Sequence, residues 1–182
     1  MTSGFVHRHP LEEALSGPQV PARANHLSVP RRVTVYSVLA HGGHEAAVEK
    51  ALRALDGVSI RVCGPQEWLA VAGKEGAYGL ETALSGIAGA SFADQTDGRV
   101  LLRLSGPDAR AILAKCVAVD LHREAFPVGR SANALLCHAG CNLARTGEDV
   151  YEIAVMRSFA SFVYREMLLM GREFGLSSGF DG

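Results

Sequence analysis

The chain has 182 residues and a formal net charge of −1, enough for one domain or two small merged ones and enough to bury roughly 70% of its unfolded surface without disulfides or metal. The near-neutral balance carries no basic stripe, which argues against nucleic acid as a partner, and no run approaches the length of a membrane span. The first residues show no charged-then-apolar signal pattern, so Cys63, Cys116, Cys137 and Cys141 are expected to be reduced thiols in a cytoplasmic protein.

In chain order, residues 1–32 read as an extended or flexible N-terminal arm. They hold Pro10, Pro18, Pro21 and Pro30 and only short apolar pieces, a composition that does not fold alone. Residues 11–15 suit one helical turn. His7, His9 and His26 lie in the arm and read as solvated rather than ligating. A single α+β domain is expected over 33–176, in two merged halves at about 33–97 and 98–176, with 177–182 as a tail.

Residues 33–39 are rich in β-branched side chains and read as a strand, broken by Gly42-Gly43. A helix over 44–55 would bury Ala47, Val48, Ala51, Leu52 and Leu55, and Asp56-Gly57 ends it. Strands follow at 58–62 and 68–72, with Gly64-Pro65 turning between them. Residues 73–76 read as a tight link. A second helix over 78–88 would bury Leu80, Ala83, Leu84 and Ile87. Residues 91–96 read as a strand, and Asp97-Gly98 as a hairpin turn into the next.

The stretch 100–129 organises the rest. Val100, Leu102 and Leu104 alternate with Leu101, Arg103 and Ser105, a strand with one more apolar face. Gly106-Pro107 then turns the chain, and Pro107 suits the first position of a helix. Asp108 adds negative charge at the positive end of the dipole. Ala109, Ile112, Leu113 and Cys116 form one apolar stripe at helical spacing. Strands are expected at 132–138, 141–145 and 150–156, with turns at Ala139-Gly140 and at 146–149. Ser158 is the expected N-cap of a long helix carrying Phe159, Phe162, Val163, Met167 and Met170. β-α-β units mixed with an antiparallel run indicate α+β rather than a doubly wound sheet. The segments 60–65 and 102–107 echo each other in character, too briefly to establish a repeat.

Chemical signals are sparse. Cys137-His138-Ala-Gly-Cys141, with His122 or Cys116, could supply zinc ligands, but the cysteine spacing is wrong for a zinc motif and no second pair follows. Buried strand cysteines also behave as small hydrophobes. His41-Gly-Gly-His44 opens a helix, where anions bind, yet it lacks the glycines and lysine of a phosphate loop. Gly86-Ile-Ala-Gly89 ends a helix, the wrong context for a dinucleotide fingerprint. No nucleophile elbow occurs. Arg157 reads as an ion-pair or interface residue, and Trp68 as core first and interface anchor second. Hydrophobic residues make up 48% of the chain and glycine adds 20 residues, together above the roughly 45–50% of ordinary domains counted that way. Either one face is covered by another subunit, or the surplus is Ala and Gly that bury little area. No catalytic, cofactor-binding or metal-ligating residue is assigned.

Several motifs in order resemble the gamma subunit family of heterotetrameric sarcosine oxidase. They are His9-Pro10-Leu11, Gly64-Pro65-Gln66-Glu67-Trp68-Leu69, Leu104-Ser105-Gly106-Pro107-Asp108-Ala109-Arg110, Cys116 through Asp120-Leu121, Phe126-Pro127-Val128-Gly129, and Tyr151 through Arg157-Ser158. The resemblance implies a fold like the folate-binding domain of the aminomethyltransferases. It implies a complex that oxidatively demethylates sarcosine, passes electrons to oxygen and delivers the one-carbon unit to tetrahydrofolate. FAD, FMN, NAD and folate would sit on large alpha and beta subunits and zinc on a small delta subunit, leaving this chain a non-catalytic role in assembly. A related N-methyl amino acid dehydrogenase complex, such as N-methylglutamate dehydrogenase, fits the same pattern. So does a domain that binds folate itself. A thiol or zinc protein using Cys137 and Cys141 is the third reading.

Overall fold

Alternating strands and short amphipathic helices assemble, in a computed structural model that describes residues 8–17 and 21–181, into four layers. His7 and Pro18 lie outside the described residues. The first half supplies a small sheet from β2 (Thr34–Ala40), β3 (Val58–Gly64), β4 (Glu67–Ala72) and β5 (Ala90–Asp94), in the order β3-β4-β2-β5 and antiparallel throughout. Helix α1 (Glu45–Arg53) follows β2, and α2 (Lys74–Ala77) and α3 (Leu80–Ser85) follow β4. This is a split β-α-β arrangement of the ferredoxin-like type.

The second half repeats the plan. β6 (Arg99–Ser105), α4 (Ala109–Ala114), β8 (Ala139–Gly147), β9 (Val150–Met156), α5 (Ala160–Met170) and β10 (Ser177–Phe180) take the same places. β1 (His26–Val29) is inserted between β10 and β6, and β7 (Ser131–Leu136) is added at the far edge, giving the order β10-β1-β6-β9-β8-β7. The repeat therefore aligns β2 with β6. The echo between 60–65 and 102–107 pairs β3 with β6, which occupy different places in the two halves.

Alternation decides the layering, because successive strand residues face opposite sides. Tyr36, Val38, Ala40, Trp68, Ala70 and Ala72 pack under Val48 and Leu52 of α1 and Leu80 and Leu84 of α3. Val35, Leu69 and Val71 point the other way and meet Leu101 and Ala154 of the large sheet. The opposite face of the large sheet, including Val100, Leu102, Leu104, Tyr151, Ile153 and Val155, packs on Ile112, Leu113, Val163 and Met167. The expected one-sided pattern of 100–104 is borne out, and the fold is α+β.

Several boundaries differ from the sequence expectation, each for a physical reason. Residues 26–29 and 177–180, expected as parts of the arm and the tail, are strands. They are parallel neighbours, and β1 also pairs antiparallel with β6. Neither folds alone; each is ordered by a sheet that sequence-distant residues build. The helical turn at 11–15 forms, with Leu15 N–H donating to Leu11 O at 3.0 Å, and Leu11 is fully buried in the large core. His26 Nδ1 bonds the Ser177 hydroxyl at 2.8 Å, and the His9 ring stands edge-on to Phe180. Neither histidine is the freely solvated side chain expected.

The Asp97-Gly98 turn forms, with Gly98 N–H donating to Gln95 O at 3.0 Å, but it is not a hairpin. β5 is the edge of the small sheet and β6 lies inside the large one, so the turn carries the chain between layers. The expected helix over 78–88 shortens to α3, which starts after Gly79 at a left-handed φ of 75°, and the supposed link at 73–76 is largely taken up by α2. Ser158 is exposed within a 3-10 turn, Arg157–Phe159, that leads into α5, and no side chain caps either element.

The β7–β8 turn is Cys137-His138 rather than Ala139-Gly140, and Leu136 pairs directly with Ala139. Both turn residues have positive φ, 47° and 72°, the geometry of a type I′ turn, which favours Asn-Gly. A non-glycine residue there costs about 1–2 kcal/mol, partly offset by the greater unfolded-state entropy of glycine. His138→Gly is therefore expected to raise the thermal midpoint by about 1–4 °C, read from a circular dichroism melt.

Among the described residues, no helix is long and apolar enough to cross a membrane.

Candidate functional site

The layer between the sheets holds the most unusual chemistry. Arg61 on β3 is 1% exposed and ion-pairs through Nη2 with Glu152 on β9, itself 6% exposed. Glu152 Oε1 also accepts from Arg103 Nε at 2.8 Å, and Arg103 reaches Asp181 at 3.8 Å. Burial lowers the Arg61 pKa from its ordinary value, while the facing Glu152 carboxylate holds the charge in place. Arg61 thus fastens the small sheet to the large one. Beside it, Asn142 Nδ2 donates to Val62 O at 3.0 Å and to Asn133 Oδ1 at 3.0 Å, and Asn133 Nδ2 donates to Cys63 O at 2.8 Å. Ser131 Oγ accepts from Val62 N–H at 2.8 Å. The free edge of β3 is closed by side chains from β7 and β8, so this network holds the two halves in register.

Sequence reading missed Arg61 and Glu152. Their signal was present: a lone charge in the middle of each of two apolar strands, of opposite sign. A buried charge has to be paired, so each predicted the other. Asn25 was missed because it fell in the arm. Its Nδ2 donates to Asp108 Oδ2 at 2.9 Å and to Phe174 O at 3.0 Å, while its Oδ1 accepts from Asp108 N–H at 3.0 Å. It clamps β1 to the Gly106-Pro107-Asp108 turn.

The other candidates resolve separately. His122 is exposed beside Glu124, and His138 is exposed at the hairpin tip. Cys141 faces the large core, and Cys116 and Cys137 lie against each other at its margin. Burial pushes Cys116 to about 12 and Cys141 to about 11, so both are protonated thiols. Among the described residues, no three His, Cys, Asp or Glu side chains are grouped to hold a metal.

The turn before α1 already has an anion of its own. Glu45 Oε1 accepts from Gly43 N–H at 3.1 Å and from Gln66 Nε2 at 2.7 Å, and these hydrogen bonds, the backbone ones most, lower its pKa. A phosphate there would meet a carboxylate. Gly89 lies where a Cβ would strike the His44 ring, so it serves packing. Trp68 is 3% exposed in the small core, which removes it as an interface anchor. Arg157 Nη2 donates to the Arg8 carbonyl at 2.9 Å, tying the arm to the start of α5.

Two surface clefts stand out. One, of about 450 Å³, lies along Ala46, Glu49, Lys50, Arg53 and Ala54 on the outer face of α1. The other, of about 380 Å³, lies between Gly57–Arg61 and the segment bearing Val128, Ser131 and Arg145. Both guanidinium groups bordering the second are engaged, Arg61 by Glu152 and Arg145 by the carbonyls of Phe126 and Glu148. Both clefts are open to solvent rather than enclosed, unlike the pockets that bury most of a small ligand's surface.

What the surface does offer is apolar. Phe159, Phe162 and Leu169 are 48%, 39% and 57% exposed. Phe162 and Leu169, seven apart, share one stripe of α5, Phe159 lies in the 3-10 turn that leads into it, and Met156 at the end of β9 is 43% exposed.

Residues 32–170 match the sarcosine oxidase, gamma subunit family. The sarcosine oxidase subunit gamma of Corynebacterium sp. (strain P-1) is 36% identical over 107 residues, 58% of this chain and 52% of the relative. That of Corynebacterium sp. (strain U-96) is 33% identical over 120 residues, 64% of this chain and 58% of the relative. The chain thus spans about half the length of the curated relatives it matches. In three dimensions it resembles a chain of the heterotetrameric sarcosine oxidase from Corynebacterium sp. U-96 in complex with pyrrole 2-carboxylate. The TM-score is 0.73 and the identity 26%, covering 92% of this chain and 96% of that one. The glycine cleavage system aminomethyltransferase T of Bartonella henselae shares the fold, with TM-score 0.61, identity 16% and coverage of 87% and 48%. With 139 consecutive positions, residues 32–170, inside the family match, the chain belongs to the sarcosine oxidase gamma subunit family.

Proposed function

We propose that this chain is the gamma subunit of a cytoplasmic, heterotetrameric, flavin-dependent complex that oxidatively demethylates sarcosine, and that its part is assembly rather than chemistry. Large alpha and beta subunits and a small delta subunit are its partners. FAD, FMN, NAD, tetrahydrofolate and zinc belong to those chains. The observation that carries this reading is the match, nearly end to end for both chains, to one chain of a heterotetramer. The engaged polar groups and the exposed stripe of α5 support it, since a standard interface buries about 800 Å² per partner with aromatic anchors near its centre.

Co-expression with the large subunits tests it. The lone chain is expected to self-associate, and the large subunits to keep it dispersed. Phe159→Asp with Phe162→Asp is expected to weaken co-purification by about 30-fold, the loss of one hot spot, with an unchanged far-UV spectrum. Retention at the wild-type level would remove α5 from the interface. A dispersed chain that ignores the large subunits would remove the reading itself. The aminomethyltransferase-like fold favours one second reading, a domain that binds folate on its own. Saturable micromolar binding of tetrahydrofolate to the isolated chain would select it.

A further inference from the structure

Nothing above uses the thiols at the tip of the β7–β8 hairpin. Val117, just after α4, bridges antiparallel to Leu136 at the end of β7. That register puts Cys116 directly opposite Cys137, and Cys137 N–H donates to Cys116 O at 2.9 Å. Directly opposed residues in an antiparallel pair have Cα atoms about 4.5–5.5 Å apart, inside the window of about 4.4–6.8 Å that a disulfide needs. Cys116 S–H donates to the Ile112 carbonyl at 3.4 Å, and each thiol perturbs the other's pKa, so the two sulfurs lie close together. Cys116 is 7% exposed and Cys137 is the more open of the two. Cys141 is buried one turn of the hairpin away, and Cys63 lies in the layer between the sheets.

We propose that Cys116 and Cys137 form a redox site, closing reversibly to an intramolecular disulfide when the chain meets a hydroperoxide. Cys137 reacts first. Its thiolate attacks one peroxide oxygen, the O–O bond breaks, and sulfenic acid and hydroxide result. The Cys116 sulfur then displaces the sulfenic oxygen, the S–S bond forms, and the Cys116 proton leaves with that oxygen as water. In sum, two thiols and hydrogen peroxide give one disulfide and two waters. Two electrons leave the sulfurs and reduce the peroxide. A dithiol reductant reverses the step by exchange.

Access and charge set the order. Burial raises the Cys137 pKa, the neighbouring Cys116 thiol opposes this, and the carboxylate of Glu166 on α5 adds to it. Cys116 is held higher by burial, by Cys137 and by Glu166, with Lys115 opposing. Both are mainly thiols at neutral pH, so the reaction is slow there. Its rate should climb by about tenfold per pH unit below the thiol pKa, because the thiolate is the nucleophile.

The test uses the reduced full chain, treated with hydrogen peroxide at pH 7.5 and 8.5, alkylated and digested without reduction. A linked Cys116–Cys137 peptide, two hydrogens lighter and released by dithiothreitol, is the expected product. It should form about ten times faster at the higher pH. The loop of about 20 residues should also raise the thermal midpoint by about 5–10 °C. In Cys116→Ser, Cys137 should stop at a dimedone-trapped sulfenic acid. A Cys137–Cys141 linkage, or no linkage while Cys137 oxidises to sulfinic acid, would overturn the assignment. So would equal thiol loss in Cys116→Ser and Cys137→Ser, which points to Cys63.

Discussion

Glu152→Gln is expected to be the most damaging single change in the layer between the sheets. It leaves Arg61, 1% exposed on the facing strand, with a guanidinium and no counter-charge. Removing one member of a buried pair costs about 3–5 kcal/mol, so the thermal midpoint should fall by roughly 6–15 °C. Arg103 adds little to the figure, since its side chain is 44% exposed and its pairing is screened. Urea unfolding followed by two probes would locate the damage. Trp68 fluorescence reports the small core and far-UV signal reports both halves, so the transitions should separate in the variant and coincide in the wild type. The double change Arg61→Met with Glu152→Leu should recover most of the loss, because apolar replacements of similar volume carry no stranded charge. Equal damage in the single and double variants would mean that shape, not charge, joins the sheets at this point.

Gly106→Ala is expected to be comparably severe for a different reason. Gly106 has φ 127°, which L side chains rarely adopt, and a Cβ there would lie 2.7 Å from Asn25 Cα and against the Ala24 carbonyl. Backbone stands in the way, so no rotamer change relieves it. Strain and displacement of the Asn25 clamp together should cost at least about 3 kcal/mol. Gly140→Ala is the control: its Cβ would meet nothing within 4 Å, and its φ is unstrained. It should shift the midpoint by less than about 2 °C. If Gly106→Ala behaved like the control, the clamp would have no part in docking β1.

Much of the secondary structure was legible because it depends on neighbours in sequence. The alternation at 100–104 and the stripe of Val48 and Leu52 each report local geometry and stand where expected, and the turn expected at Gly64-Pro65 forms one residue on, at Pro65-Gln66. The type I′ turn was misplaced because Gly140 drew the reading away from Cys137 and His138, which hold positive φ without being glycine. Ser158 failed as a cap because a 3-10 turn places the first α-helical residue at Ala160. The candidate surface was half legible: Phe159 and Phe162 were assigned to the last helix, but nothing local says which side of an apolar helix stays uncovered.

By itself, then, the sequence determined the element order, the α+β class, the apolar face of most strands and, through its motifs, the family. Tertiary structure alone decided which sheet each strand joins. Asp97-Gly98 could turn back or cross between layers at similar local cost, and only the partners waiting in each sheet choose. The same holds for residues 26–29 and 177–180, whose backbone bonds exist only once β6 is in place. It holds also for Arg61 and Glu152, 91 positions apart, whose pairing is set by how the two halves stack. Periodicity is a property of a dozen residues; burial and pairing are properties of the whole chain.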